Sequence, residues 1–187
     1  MGKVVLSANR ESREFIKAVE VASGTRTSLC YQCGKCSAGC PVAFAMDYTP
    51  RQIIRLLQLG LVDEAVNADS IWICATCETC SSRCPRGVEI ASLMDTLRRE
   101  ALHRGIITDH EVNDFNKSFL NSVERFGRLH EASMVIEYNL RIVKPLKDAE
   151  LSPQMLKRGK LKILPEKIKG QKAVKAIFQR VKDMGGE

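Results

Sequence analysis

The sequence predicts a mainly helical protein with two cysteine-rich loops and a basic helical extension at its C-terminal end. Leu, Ile, Val and Ala are plentiful, whereas aromatic residues make up only 5% of the 187 residues. The chain has only six Pro and 12 Gly, which leaves long segments without a helix breaker. Apolar residues in these segments recur at helical spacing, so we expect helices and not a sandwich of short strands.

Three helices are expected in the first part of the chain. Residues 11–22 carry apolar side chains on one helical face, and Gly24 follows as a stop. Thr49-Pro50 is typical of a helix start, and the apolar face after it continues to Gly60. A shorter helix over 62–67 is expected to turn the chain back, which makes a helical hairpin.

Three further helices are expected in the second part of the chain. One is predicted over residues 90–101, where apolar residues recur at helical spacing. Thr108 and Glu111 form a capping-box pattern, which predicts the start of another helix that runs to about residue 126. A last helix of this group is expected over residues 131–143, before a proline.

Positive charge is concentrated at the C-terminal end. Residues 144–187 hold 12 Lys/Arg and 5 Asp/Glu, a net charge of +7, whereas residues 1–143 hold 17 of each sign. We therefore expect one domain over residues 1–143 and a basic extension over residues 144–187, which ends in an amphipathic helix and docks to a partner. Charge alone does not separate a nucleic acid, an anionic membrane surface and an acidic protein as that partner.

The N-terminal stretch predicts no export signal. Its apolar run is three residues long, too short for the apolar core of a secretory signal. Nowhere do 18 apolar residues follow one another, the length needed to span a bilayer. A cytoplasmic protein without a membrane span is expected.

All eight cysteines lie in two runs with the same spacing. The first run, CYQCGKCSAGCP, covers residues 30–41 (loop 1), and the second, CATCETCSSRCP, covers residues 74–85 (loop 2). Both follow the pattern C-x2-C-x2-C-x3-C-P and are offset by 44 residues. Repeat arrays need about three or more units. Two copies of one loop therefore indicate a duplicated binding site.

Three chemistries compete for this pattern. Disulfides are disfavoured because an intracellular compartment keeps thiols reduced. Structural zinc sites usually contain two separated C-x2-C pairs or histidine, and His103, His110 and His130 lie away from the runs. The spacing is the bacterial ferredoxin signature, so two [4Fe-4S] clusters are the favoured cofactors. Zinc and two unlike clusters stay open as alternatives.

The ferredoxin motif also supplies a hypothesis about the ligands. In that motif the first three cysteines of a run bind one cluster, and the fourth binds the other cluster. On this sequence the first cluster would be held by Cys30, Cys33, Cys36 and Cys84, and the second by Cys74, Cys77, Cys80 and Cys40.

Two such clusters indicate electron transfer. A cluster with four cysteine ligands has no open coordination position, so it carries single electrons and does not obviously bind a substrate. The sequence contains no dinucleotide-binding G-x-G-x-x-G, no P-loop and no nucleophile elbow. No catalytic residue is expected, and the chain should not be active alone.

The paired runs, with TPRQIIRLLQLG between them and GVEIASLMDTLRREA after them, resemble a known family. From Arg10 to Phe126 the chain is similar to the α-helical two-cluster ferredoxin domain of HdrC, the iron-sulfur relay protein of heterodisulfide reductase. The resemblance implies a cytoplasmic complex of methane-forming microbes. There the flavin-containing HdrA supplies electrons, HdrC relays them, and the catalytic HdrB reduces the coenzyme M/coenzyme B heterodisulfide. A larger hydrogenase- or dehydrogenase-linked complex is also implied.

Two other functions remain as alternatives. Related two-cluster domains occur in glycerol-3-phosphate, glycolate and succinate dehydrogenases, so a relay subunit of another dehydrogenase is the first. The basic extension and a pI near 9.1 motivate the second, a nucleic-acid-binding iron-sulfur protein. The sequence has no recognised nucleic-acid motif and no aromatic stacking platform, so we do not expect a nucleic-acid partner.

Overall fold

The computed structural model of the chain describes residues 9–147, 150, 152–159, 164–166 and 168–184. The expectation of a mainly helical fold is confirmed, with 64% helix. Most of the N-terminal stretch on which the export prediction depended, and part of the basic extension, lie outside these residues. Within the described ranges, none of the helices combines the length and apolar character that crossing a membrane requires.

The contacts divide the chain into two compact units, Met1–Asp109 and His110–Glu187. The helices of the first unit are α1 (Arg10–Ser23), α2 (Lys35–Ala38), α3 (Pro50–Gln58), α4 (Val62–Val66), α5 (Ser70–Ile73), α6 (Thr79–Ser82) and α7 (Ile90–His103). Those of the second are α8 (His110–Phe126), α9 (Glu131–Arg141), α10 (Ser152–Lys157) and α11 (Gln171–Asp183).

Helix α7 is the centre of the first unit. It packs against α1, α4, α5 and α6, while α3 packs against α4. The side chains with less than 2% of their surface exposed include Ile53, Ile54, Leu57, Ile71, Ile90, Leu93, Met94 and Leu97. Each such side chain contributes about 1.5–3 kcal/mol through removal of apolar surface from water. The predicted apolar faces of α3 and α7 therefore form one core.

Two predicted helix ends are confirmed in detail. Gly24 ends α1 in the left-handed conformation, with φ of 68°, and its N–H donates to the carbonyls of Glu20 and Val21. Thr49 caps α3, and Gln52 completes a capping box by accepting a hydrogen bond from the Thr49 N–H at 2.8 Å. These local signals fix where the chain enters and leaves the core helices.

The predicted capping box of α8 is wrong. The helix begins at His110, and the buried Thr108 hydroxyl has no hydrogen-bond partner among the described residues. The carboxylate of Glu111 instead accepts hydrogen bonds from the ammonium groups of Lys144 and Lys147, at 2.6 and 3.2 Å. The Glu111 side chain therefore forms charge-assisted hydrogen bonds with two lysines and does not accept the backbone N–H of Thr108, as a capping box would require.

The second unit places the C-terminal helix on α8. Helix α8 packs against both α9 and α11, and Lys182 of α11 is 2.8 Å from the Glu124 carboxylate of α8. Because these helices form one unit, the contacts divide the chain near residue 109, whereas the sequence analysis placed the boundary at residue 143. The functional division at residue 143 stays a prediction.

The carboxylate of Asp47 connects the segment before α3 to the segment after α4 by hydrogen bonds. Asp47 accepts hydrogen bonds from the backbone N–H groups of Tyr48, Asp69 and Ser70 at 2.8–3.0 Å. The fully buried Ser70 also donates its hydroxyl to Asp47. Partial burial raises the pKa of Asp47, but these hydrogen bonds outweigh burial and the net shift is downward. The segment after loop 1 is thereby attached to the start of α5, which leads into loop 2.

We expect Asp47→Asn to destabilise the first unit by about 1–3 kcal/mol, because an amide offers one acceptor oxygen where four donors converge. The measurement is the midpoint of guanidinium unfolding of the anoxic, cluster-loaded protein, followed by far-UV circular dichroism. Asp63→Asn, an exposed carboxylate in the first turn of α4, is the control and should cost less than about 1 kcal/mol. Equal midpoints for the two variants would contradict the role given to Asp47.

Candidate metal centre

The two cysteine loops have the same backbone conformation. Gln32 and Thr76 occupy equivalent positions, 44 residues apart, and both have positive φ, at 66° and 49°. Gly34 and Glu78 are equivalent too, with φ of 83° and 61°. A four-residue helix follows each pair, α2 in loop 1 and α6 in loop 2. The repeat in sequence is therefore a repeat in structure, even where the residue types differ.

The burial of the thiols repeats in the same order. The third cysteine of each loop is buried, with 6% of Cys36 and 8% of Cys80 exposed, and the second, Cys33 or Cys77, is exposed. The first and fourth cysteines of both loops, Cys30, Cys40, Cys74 and Cys84, are half-buried. Each loop thus turns one thiol toward the protein and one outward, with two in between.

Backbone and hydroxyl donors favour the thiolate at the exposed cysteine of each loop. The backbone N–H of Lys35 lowers the pKa of Cys33. The Thr79 hydroxyl lies 3.4 Å from the Cys77 sulfur and, together with the Thr79 N–H, lowers the pKa of Cys77. Thiolate is the form that binds iron, and N–H groups directed at ligand sulfur are typical of iron-sulfur sites. The donor set therefore fits a thiolate-bound cluster.

At the third cysteine of each loop, Cys36 or Cys80, burial raises the pKa and so disfavours the thiolate. It raises the pKa of Cys36 and raises that of Cys80 to about 11. A thiol with such a pKa is protonated at neutral pH, so binding of a metal centre there must release a proton. The inner thiols need the positive charge of iron to become ligands.

The two loops touch one another. Helix α2 contacts α6, and Gly39 lies against Arg83: a Cβ atom on Gly39 would be 2.8 Å from the Arg83 Cδ and 3.1 Å from its Cζ. Gly39 and Arg83 are equivalent positions of the repeat. A larger residue than Gly39 would displace the exposed end of the Arg83 side chain, so the glycine makes room for that side chain where the loops meet.

The fourth cysteine of each loop lies within electrostatic reach of the other loop. Burial is the main cause that raises the pKa of Cys74, and the negative charge of a Cys40 thiolate raises it further. The pKa of Tyr31 is raised first by its hydrogen bond with Cys33, and the charge of Cys84 adds to this. Residues of one loop are thus influenced by the last cysteine of the other.

A side chain from the following helix holds each loop at its first cysteine. In loop 1, the Gln58 Nε2 donates to the carbonyls of Thr27, at 2.9 Å, and Cys30, at 2.8 Å. In loop 2, the Arg98 guanidinium donates to the carbonyls of Ile71 and Cys74, both at 2.7 Å. We call Gln58 and Arg98 the braces of loops 1 and 2.

The braces occupy corresponding positions. Gln58 is the ninth residue of α3, and Arg98 is the ninth residue of α7. The carbonyls that they hold are again 44 residues apart. Sequence reasoning missed both braces because they lie 28 and 24 residues after their cysteines, so no constant spacing marks them. It also missed α2 and α6, since four residues are too few to show a helical period.

No three His, Cys, Asp or Glu side chains of the described residues converge so that they could hold a single metal ion. That finding concerns one ion. A [4Fe-4S] cubane binds each thiolate at a separate iron corner, so its ligands do not converge on one point.

A family model described as a 4Fe-4S dicluster domain matches residues 26–88. The matched segment contains all eight cysteines. The two [4Fe-4S] clusters expected from the sequence are confirmed as the cofactors of this segment.

Similar proteins come from methane-producing archaea. The chain is 49% identical over 76 residues to the HdrC iron-sulfur subunit of a CoB–CoM heterodisulfide reductase from Methanopyrus kandleri, covering 41% of this chain and 40% of that protein. It is 38% identical over 95 residues to the HdrC subunit of the H2:CoB-CoM heterodisulfide, ferredoxin reductase from Methanothermobacter thermautotrophicus, covering 51% of each chain. The resemblance to HdrC proteins is thereby confirmed, although the chain spans only about half the length of these relatives.

The repeated backbone predicts opposite effects of substitution at its two equivalent positions. Gly34→Ala should destabilise loop 1 by about 1 kcal/mol, because Ala is strained at φ of 83° although the nearest atom would lie 3.9 Å away. Glu78→Gly should stabilise loop 2 by a similar amount. Guanidinium unfolding of the cluster-loaded protein measures both.

Glu78→Gln is the matched control, since it removes the charge and keeps the strained φ. A Glu78→Gly variant no more stable than Glu78→Gln would show that the positive φ of loop 2 carries no such cost.

Proposed function

We propose that this chain, whose residues 26–88 match a 4Fe-4S dicluster domain, is the electron-relay subunit of a heterodisulfide reductase complex. It passes single electrons from the flavin-containing HdrA to the catalytic HdrB, which reduces the coenzyme M/coenzyme B heterodisulfide. The observation that carries the proposal is the pair of matched cysteine loops in contact with each other, in a chain similar to HdrC proteins.

Contact between the loops is what a relay requires. Each cluster, when bound, accepts and releases one electron. The chain contributes the close approach of α2 to α6 and of Gly39 to Arg83, which keeps the two binding loops together. A fully ligated cluster has no free position for a substrate, so the reduction of the heterodisulfide falls to another protein of the complex.

The ligand sets proposed are the crossed ones, with Cys84 joining Cys30, Cys33 and Cys36, and Cys40 joining Cys74, Cys77 and Cys80. Besides burial, the charge of Cys40 raises the pKa of Cys74 across the loop contact, as this crossing requires. The charge of Cys36 acts on Cys80 in the same way, so the proposed ligand sets rest mainly on the ferredoxin motif.

Double variants separate crossed from uncrossed ligation. With crossed ligation, Cys33→Ala combined with Cys84→Ala damages one cluster and leaves the other intact, whereas Cys33→Ala combined with Cys40→Ala damages both. Anoxic Mössbauer spectroscopy and iron analysis measure this against the parent protein, which should hold about eight iron and eight sulfide per chain. The reverse pattern would establish uncrossed ligation, and zinc without sulfide would exclude the clusters.

The partners proposed are HdrA and HdrB, within a larger hydrogenase- or dehydrogenase-linked complex of the cytoplasm. The basic extension over residues 144–187 is the proposed docking segment. Lys144, Lys147 and Lys182 form ion pairs within the second unit. Lys172 and Lys175 are exposed on α11, where an acidic partner surface can reach them.

Anoxic affinity purification of the tagged full chain from its native host is expected to recover a flavoprotein and a second cysteine-rich protein. Lys172→Glu combined with Lys175→Glu should weaken that recovery, because the docking surface reverses its charge. The matched control is Glu124→Gln, which removes one internal ion pair on the same unit and adds no negative charge. Recovery with a quinone-reactive membrane protein would instead favour a relay of another dehydrogenase.

A further inference from the structure

The two braces make the same hydrogen bonds but differ in charge. Gln58 in loop 1 and Arg98 in loop 2 each hold the carbonyl of a first cysteine and the carbonyl three residues before it. Gln58 is a neutral amide, whereas Arg98 is a guanidinium with a permanent positive charge. The repeat therefore places one positive charge beside loop 2 that has no counterpart at the same position in loop 1.

The charge of Arg98 is poorly screened by water. Only 17% of its side chain is exposed, and its hydrogen bonds go to the carbonyl of Cys74 in loop 2 and to that of Ile71 in α5, directly before the loop. Its nearest acidic neighbour, Asp95, is 3.9 Å away, is 46% exposed and also interacts with Arg99 at 3.7 Å. Asp95 therefore offsets the charge of Arg98 only in part, since exposed charges are weakened by solvent and salt.

Loop 1 has basic residues nearby, but they are exposed. Arg55 donates to the Gln58 side-chain oxygen at 3.3 Å, Arg51 lies 3.9 Å from the Cβ position of Gly34, and Lys35 follows in α2. All three belong to exposed residues, and so does Arg83 of loop 2, whose side chain lies against Gly39 of loop 1. Water and salt screen such charges, so they act on loop 1 less than the half-buried guanidinium of Arg98 acts on loop 2.

We propose that Arg98 raises the reduction potential of the cluster held by Cys74, Cys77 and Cys80 above that of the cluster held by Cys30, Cys33 and Cys36. This inference rests on the relay function and the ligand sets proposed above. Reduction adds one electron to a cluster, and a nearby positive charge stabilises the reduced form. Gln58 supplies the same hydrogen bonds to loop 1 without that stabilisation.

Unequal potentials give the relay a downhill step. With both clusters bound, the positive charge of Arg98 would favour an electron on the cluster held by Cys74, Cys77 and Cys80 over the cluster held by Cys30, Cys33 and Cys36. Arg98 is a positioning residue with an electrostatic effect: it touches the backbone of a ligand and acts through it on the redox centre.

The test is an anoxic redox titration of the cluster-loaded full chain, followed by electron paramagnetic resonance. Arg98→Gln replaces the guanidinium with an amide donor like that of Gln58 and so removes the charge. It should shift the reduction equilibrium of the loop 2 cluster toward the oxidised form roughly tenfold, which lowers its reduction potential by about 59 mV for one electron. The potential of the loop 1 cluster should stay almost unchanged. Gln58→Arg should raise the potential of the loop 1 cluster.

Two controls separate charge from structure. Arg98→Lys keeps the charge with a different donor geometry and should keep the potential of the loop 2 cluster close to that of the parent. Asp95→Asn removes the partial counter-charge and should raise that potential. Signals are assigned in the double-alanine variants that retain a single cluster.

An unchanged potential in Arg98→Gln would overturn the proposal, as would equal shifts in Arg98→Gln and Arg98→Lys. Either result is obtained on a chain whose iron content shows both clusters present. Failure here is therefore distinct from failure of the relay proposal, which would appear as missing clusters or as the wrong partners in affinity purification.

Discussion

The cysteine loops depend on hydrogen bonds from the helices that follow them. Cys30 and Cys74, the first cysteines of loops 1 and 2, have ψ of 114° and 115°, so the chain leaves the helical conformation at these residues. Gln58, the last residue of α3, and Arg98, in the middle of α7, donate hydrogen bonds to the carbonyls of these two cysteines. Apolar side chains of both helices are fixed in the core. The position of each loop is thus set by helix packing through several hydrogen bonds. Besides those of the braces, Ser37 of loop 1 accepts one from the Arg51 N–H of α3, and Ser81 of loop 2 accepts one from the Ala91 N–H of α7.

How much of this could be predicted from the sequence depended on the range of the interactions involved. The long helices and the caps at Gly24 and Thr49 were predicted because periodicity and capping residues act within one element. The capping box at Thr108 failed because Lys144 and Lys147, more than 30 residues away, engage the Glu111 carboxylate. The two braces could not be predicted, since their partners are brought close only by tertiary packing.

The cysteine spacing was a stronger predictor than any helix pattern. It indicated two clusters without knowledge of the fold, because the bonds from iron to four thiolates restrict the spacing of the ligands far more tightly than apolar packing restricts a helix. The backbone shows the same restriction: Thr76 and Glu78 adopt positive φ, as the equivalent Gln32 and Gly34 do. Residues with a side chain accept that conformation only where surrounding structure requires it. The loops therefore share a shape although they share few residues besides cysteine.

The contact of Gly39 with Arg83 is a point where the two cysteine loops differ. These positions are equivalent in the repeat and meet each other, so they lie where an approximate two-fold axis between the loops would pass. In this chain the Arg83 side chain lies over the position where Gly39 has no Cβ. A single point of contact is thus occupied by a long side chain from one copy of the loop and by none from the other. The two halves of the duplication are distinguishable from one another at the place where they meet.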